Sequence, residues 1–256
     1  MNSHDIDYKV FGKIAQYVLI ALDPGETVIA EAGAMICMDG GVSYKIKMSD
    51  GSNPNKSIVG KFFSGIKRKI SGENFFLTHF TNTSNQVKTI TFAGDLPGSV
   101  LGVDLKKIGG SITCQKDAFL CAAHGTKIDF VVNRRMGVGF FAKEGFVLQK
   151  VTGDGKFIMN FGGQVIQKKL KNETIKVDTG SLVAFTSGIK FNITLSGGLG
   201  TMMFGGEGVF LTELSGTGTV LLQSTPISKM ANVLMGHANS SGKKKRLSGK
   251  WGDSKK

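Results

Sequence analysis

Cysteine, proline, tryptophan and histidine are all scarce in this chain of 256 residues, with three, four, one and four copies. Three cysteines are an odd number without the spacing of a disulfide frame, so reduced thiols and a reducing compartment are expected. With no HExxH and no paired CxxC, the four histidines give a metal site little support and no cofactor is expected. One Trp and three Tyr leave few rings to stack beside a basic groove, which argues against RNA as a ligand. No run approaches the roughly 18 apolar residues that span a bilayer; the longest candidate, Tyr17 to Leu22, is the length of a strand. The opening MNSHDIDYKVFGK lacks a basic stretch followed by an apolar one, so no signal peptide is read and a cytoplasmic location is expected. Neither a GxxxxGK[ST] loop nor a GxSxG elbow occurs. The string Gly137-Val-Gly139-Phe-Phe-Ala142 matches G-x-G-x-x-A but leads into a strand pattern, without the strand–turn–helix setting that holds a pyrophosphate.

Glycine, by contrast, is abundant: 36 of 256 residues, about twice the usual share of roughly 7%. Without a G-x-y period this points to many tight turns, as a many-stranded protein requires. The net charge is +13, and residues 229–256 hold eight basic residues against the single Asp253. Such a tail attracts polyanions or serves as a solvated, disordered terminus.

Two motifs recur three times in the same order. The first is Thr27-Val-Ile-Ala-Glu-Ala-Gly33-Ala-Met-Ile-Cys37, then Ser111 to Cys121, then Thr174 to Ala184. Each copy has a turn-competent centre (Gly33, Asp117, Gly180), a small residue and an apolar pair. The second motif separates Glu73, Glu144 and Glu207 by two residues from an apolar pair that follows. The spacing predicts an all-β chain of three tandem units, 1–98, 99–162 and 163–228, followed by a basic tail over 229–256. Each unit is marginal for folding alone, so a shared core or a ring is expected. Ile189 to Leu195 alternates apolar and polar residues, the period of a half-buried strand. Asp23-Pro24-Gly25, Asp39-Gly40-Gly41, Gly153-Asp154-Gly155 and Gly216-Thr217-Gly218 read as turns. Within an insertion over 47–71, apolar residues at 58, 62, 66 and 70 predict a short amphipathic helix that covers a sheet end or lies on a membrane.

Several residues carry candidate roles. Glu73, Glu144 and Glu207 either converge on a cation or basic partner, or accept backbone N–H bonds at the same turn of each unit. Lys61, Lys67, Arg68 and Lys69 on the inserted segment, with Lys243, Lys244, Lys245 and Arg246 in the tail, are candidate contacts to an anionic surface. Cys37 and Cys121 share a motif position with Ala184, which reads as small buried packing residues. His4 and His237 lie near chain ends expected to be loose, and no catalytic residue is found.

The segments Ala30 to Met35, Ser71-Gly72-Glu73, Gln115 to Leu120, Glu144 to Gln149, Phe204 to Gly208 and Leu222-Gln223-Ser224 resemble the altered-inheritance-of-mitochondria family, member twenty-four, over about residues 6–226. The chain departs from the pattern at Ala142-Lys143 and Leu221. The resemblance implies a fold like the tryptophan RNA-binding attenuator protein, three tandem units of a short β-sandwich or double-stranded β-helix, assembled as a homotrimer. Fungal members are associated with the mitochondrial inner membrane; the absence of a similar presequence points to a prokaryotic relative. The attenuator protein's tryptophan and RNA sites cannot be placed on this chain and do not carry over. The expectation is a non-catalytic, oligomeric β scaffold that binds a macromolecule or an anionic membrane surface. Its rivals are a small-molecule sensor with a site between units and an RNA-binding ring.

Overall fold

The structure, a computed structural model, describes residues 3–47, 76–131, 146–196, 209–227 and 229–231. Its strands, in chain order, are β1 (Asp7–Phe11), β2 (Tyr17–Leu22), β3 (Thr27–Glu31), β4 (Met35–Met38), β5 (Val42–Lys47), β6 (Leu77–Asn82), β7 (Lys88–Ala93) and β8 (Gly98–Asp104). There follow β9 (Ser111–Gln115), β10 (Phe119–Ala123), β11 (Lys127–Val131), β12 (Leu148–Thr152), β13 (Lys156–Gly162), β14 (Val165–Asp178), β15 (Leu182–Thr186), β16 (Ile189–Ser196) and β17 (Val209–Gln223). Single 3-10 turns interrupt them at Lys106–Ile108, Lys116–Ala118 and Thr179–Ser181. The chain is all-β, as its glycine turns and alternating runs predict. The inserted helix expected within 47–71 and the G-x-G-x-x-A string lie outside the described residues, apart from Lys47 at the end of β5.

Three antiparallel sheets result. Four strands run in the order β1-β2-β7-β4, six as β5-β6-β3-β10-β13-β8, and seven as β11-β12-β9-β15-β17-β14 with β16 on β17. The apolar patterning explains the layering. In β3, Val28 and Ala30 point into one core with Phe80, Phe92 and Ile158, while Ile29 points into a second with Phe119, Phe157 and Met159. Both faces of the central sheet are therefore covered, which is why Thr-Val-Ile-Ala and Phe-Leu-Cys-Ala-Ala read as runs without alternation. A third core gathers Phe185, Ile189, Ile193, Leu214 and Val220, where β16 alternates cleanly. Each large side chain so buried contributes on the order of 1.5–3 kcal/mol.

Three strands carry the same irregularity. The register slips by one residue between Met35 and Cys37 against β7, between Phe119 and Cys121 against β13, and between Leu182 and Ala184 against β17. Each slip follows the turn centred on Gly33, Asp117 or Gly180, and each leaves an apolar residue (Ile36, Leu120, Val183) as the extra one of a β-bulge.

One turn expected from sequence is absent. Gly216-Thr217-Gly218 does not reverse the chain; it lies inside β17, which pairs with β14 almost throughout. The strand kinks there instead. Gly216 has φ of +123°, and a Cβ on it would sit 2.3 Å from the Gly188 carbonyl. Opposite it, a bulge between Lys171 and Glu173 places Asn172 at φ of +58°. Glycine serves as a hinge in a continuous strand here, a role its sequence context does not distinguish from a turn.

Asn82 fastens the β6–β7 connection to the rest of the first sheets. Fully buried, it donates from Nδ2 to the carbonyls of Leu22 and Gln86 at 2.8 Å each. Its Oδ1 accepts the Ser84 N–H at 3.0 Å and the Ser84 hydroxyl at 2.8 Å. Asn82→Ala strands these partners and is expected to cost roughly 2–3 kcal/mol, read as a lower urea midpoint with an unchanged slope.

Candidate functional site

Strand ends, not strand faces, create a recess among the described residues. Beyond Glu31 and Gln115 the chain turns sharply: Ala34 N–H donates to the Glu31 carbonyl at 3.3 Å, and Phe119 N–H caps the turn at Lys116. Between these turns, the end of β13 and the end of β17 opens a pocket of about 300 Å³. Its polar lining is Glu31, Asp95, Gln115, Asp117, Asn160 and Gln223. Gln223 is fixed, since its Oε1 accepts the Gly162 N–H and its Nε2 donates to the Gly180 carbonyl, both at 2.9 Å. Gln115 Nε2 reaches the Thr179 carbonyl at 3.4 Å. The pocket can close this far because the chain passes closely there: a Cβ on Gly162 would lie 2.0 Å from the Thr225 carbonyl, and one on Gly94 2.3 Å from Asn160 Nδ2. The lining supplies carboxylate and amide groups and no thiol, imidazole or ammonium, so it suits a small hydrogen-bonding or cationic molecule.

Glu73, Glu144 and Glu207 lie outside the described residues, as do Lys61, Lys67, Arg68, Lys69, Lys243, Lys244, Lys245 and Arg246. The structure brings together other residues instead. His4 is not loose: its N–H donates to the His124 carbonyl at 2.9 Å, and its Nδ1 accepts the Thr27 N–H at 2.8 Å. The rings of His4 and His79 lie 5.0 and 5.5 Å from that of His124. The N-terminal segment is also held by Ser3 N–H on Asp154 Oδ1 at 3.0 Å, which keeps that exposed carboxyl below its usual range. Lys156 contacts Asp5 and Asp7 at 2.8 and 3.4 Å; burial opposes its charge, but the two carboxylates outweigh it and raise its pKa. Sequence offered little sign of this clasp, since nothing local to residues 3–7 marks them as tied to residues 150 positions away. No group of three metal-capable side chains occurs among the described residues, nor any helix long and apolar enough to cross a membrane.

The cysteines divide. Cys114 and Cys121 are fully buried, and burial pushes the Cys114 thiol up to about 12 even with Gln149 Nε2 donating to its sulfur at 3.7 Å. Burial raises the Cys121 thiol too. Cys37, expected to be buried beside them, is exposed. Equivalent motif positions have different surroundings: Cys37 sits on β4, an outer strand, while Cys121 and Ala184 sit on strands with neighbours on both sides.

Motif order, all-β layering and the bulged strands narrow the ancestry, and comparison with known proteins fixes it. The sequence pattern of the family described as Mitochondrial biogenesis AIM24 matches residues 8–225. The chain belongs to this family. Its AIM24 match spans nearly all the described strands, from β1 to β17. A relative, an uncharacterised protein of Streptococcus pyogenes serotype M6, is 25% identical over 219 residues, covering 85% of this chain and 84% of its own. A crystal structure of a Streptococcus pyogenes protein superposes with a TM-score of 0.70 at 20% identity, over 91% of this chain and 99% of that one. The fold is thus shared with that protein at low identity.

Thiol titration with a disulfide reagent at pH 8 checks the burial of the three cysteines. At most one thiol is expected to react in the folded protein and three in denaturant; a second native thiol would show that Cys114 or Cys121 is reachable.

Proposed function

We propose that this protein is a non-catalytic β scaffold, built of three copies of one unit, that self-associates and docks on an anionic membrane surface or a protein partner. The three-unit reading, with units over 1–98, 99–162 and 163–228 and a basic tail over 229–256, draws support from the bulge recurring at Met35/Cys37, Phe119/Cys121 and Leu182/Ala184. In the third unit, β14 and β17 each run through what are two strands elsewhere. Self-association rests on one observation. Ile36 is 58% exposed on β4, whereas Leu120 and Val183, which hold the same motif position, are each 1% exposed. An apolar patch that is buried in two of three copies is covered by something in the third. Family resemblance favours three chains.

The surface partner follows from charge. A net +13 attracts anionic headgroups by roughly 1 kcal/mol per basic residue near the surface. Sedimentation velocity should give a species larger than the 27.3 kDa chain, and flotation should show binding to phosphatidylserine vesicles that fades with salt. A single-chain species throughout the micromolar range would overturn the assembly, and no flotation at low salt would overturn the membrane contact.

A second reading has its own observation, the 300 Å³ pocket with Glu31, Asp95 and Asp117 on its wall. A sensor using it would be stabilised by one member of a panel of small amines and amides. A melting temperature that no compound moves would leave the pocket structural.

A further inference from the structure

Neighbouring copies of the first motif are sewn together by one kind of seam. β3 pairs antiparallel with β10, setting Ala30 opposite Cys121, Ile29 opposite Ala122 and Val28 opposite Ala123. β9 pairs antiparallel with β15, setting Cys114 opposite Ala184, Thr113 opposite Phe185 and Ile112 opposite Thr186. In the aligned motif Ala30 and Cys114 occupy one position, and Cys121 and Ala184 another. The seam is therefore used twice in the same register, always joining the strand before one turn to the strand after the next.

Each kind of strand occurs once more, at the two ends of the series. The strand after the first turn is β4, and among the described residues it pairs with β7 alone. The strand before the third turn is the 174–178 part of β14, which pairs with β17 alone. These are the two halves of a third seam, and among the described residues neither finds its complement. Burial follows the same division. Val28, Ala30 and Cys114 are fully buried and Ile112 nearly so, but Ile175 and Val177 are only half-buried. Phe119 and Leu182 are buried, but Met35 is 37% exposed. Other outer strands bear the charges that discourage pairing, such as Lys45 and Lys47 on β5 and Lys127 on β11. The sequence Met-Ile-Cys-Met of β4 has neither charge nor proline, and an unprotected apolar edge is a template for another strand.

We propose that β4 of one copy pairs antiparallel with residues 174–178 of a second copy, repeating the internal register with Cys37 opposite Val177, Met38 opposite Lys176 and Asp39 opposite Ile175. The contact rests on the self-association proposed above and specifies it. It is head-to-tail, so copies close into a ring when the rotation between them allows and otherwise extend as a filament. Sheet pairing continues across the contact, and Ile36, Met35 and Val177 become buried as their counterparts are.

The test is a cross-link on the full-length chain. Directly opposed residues on paired strands have Cβ atoms about 4.5–5.5 Å apart, near enough for a disulfide after slight adjustment. In Val177→Cys, copper–phenanthroline and oxygen should join Cys37 of one copy to position 177 of another, giving a thiol-reversible ladder whose linked peptides mass spectrometry identifies. Adding Cys37→Ser should abolish the ladder, and an exposed control, Lys107→Cys, should not form one. Ile36→Lys, changed at a site exposed in the single chain, should keep the melting temperature of the isolated chain but weaken association at least tenfold. An assembly that forms without the 37–177 link, or that Ile36→Lys leaves intact, overturns the edge pairing while self-association stands. A chain that sediments singly overturns both, and a 37–177 bond within one chain overturns the head-to-tail contact.

Discussion

A backbone N–H or carbonyl on an open strand edge is satisfied by water alone, and such an edge is a standing invitation to another strand. The disposal of strand edges organises this molecule more than any single side chain does. Pairing β3 with β10 and β9 with β15 converts small three- and four-stranded pieces, each too small for a stable core, into sheets of six and seven strands. The cores then form between layers that no stretch of 70 residues could complete. Ile29 shares a core with Phe119 and Val183, each from a different occurrence of the sequence motif, so strands distant in the chain are held by both hydrogen bonds and apolar contact.

The bulge serves this arrangement. An extra residue at Ile36, Leu120 and Val183 strengthens the local twist and turns the strand after it toward the neighbouring layer. Because the bulge faces β7, β13 or β17, the opposite edge of the same strand stays straight enough to be paired, as it is in β10 and β15. In the last part of the chain the economy changes. There β14 and β17 run unbroken through regions that earlier are separate strands, and the reversal is replaced by a kink between Asn172 and Gly216. A Gly-x-Gly sequence supports either outcome, since glycine permits the positive φ of a turn and the close backbone approach of a kink alike.

The recess between strand ends shows how position and chemistry separate in such a fold. Glu31 and Gln115 stand at the same place in the motif, and both reach one pocket because the seam brings two copies side by side. The rest of its wall comes from the two turns that follow Glu31 and Gln115, from Leu120 of β10, from the ends of β7, β13 and β17, and from the segments after β7 and β17. Paired strands repeat their geometry faithfully, while the groups they carry to the rim are free to differ: a carboxylate at one place, an amide at the next. The fold therefore supplies a recurring location without fixing the chemistry presented there.

Patterns of local periodicity and recurrence were enough to show that the chain is all-β and where its recurring turns fall, because alternation, turn chemistry and motif spacing are all written within a dozen residues; the family was legible separately, in motifs that resemble its other members. The Tyr17–Leu22 strand, the β16 alternation and the apolar pairs after Gly33, Asp117 and Gly180 were each legible in this way. What tertiary structure alone decided depends on neighbours distant in sequence. Cys37 and Cys121 look alike in the motif, yet one is exposed and the other buried because only the second has strands on both sides. Ser3, Asp5 and Asp7 join the N-terminus to Asp154 and Lys156, about 150 residues away, and the acidic pocket gathers residues from five segments. Burial, pairing and pocket shape are properties of what stands beside a residue in space, and a linear motif does not carry that information.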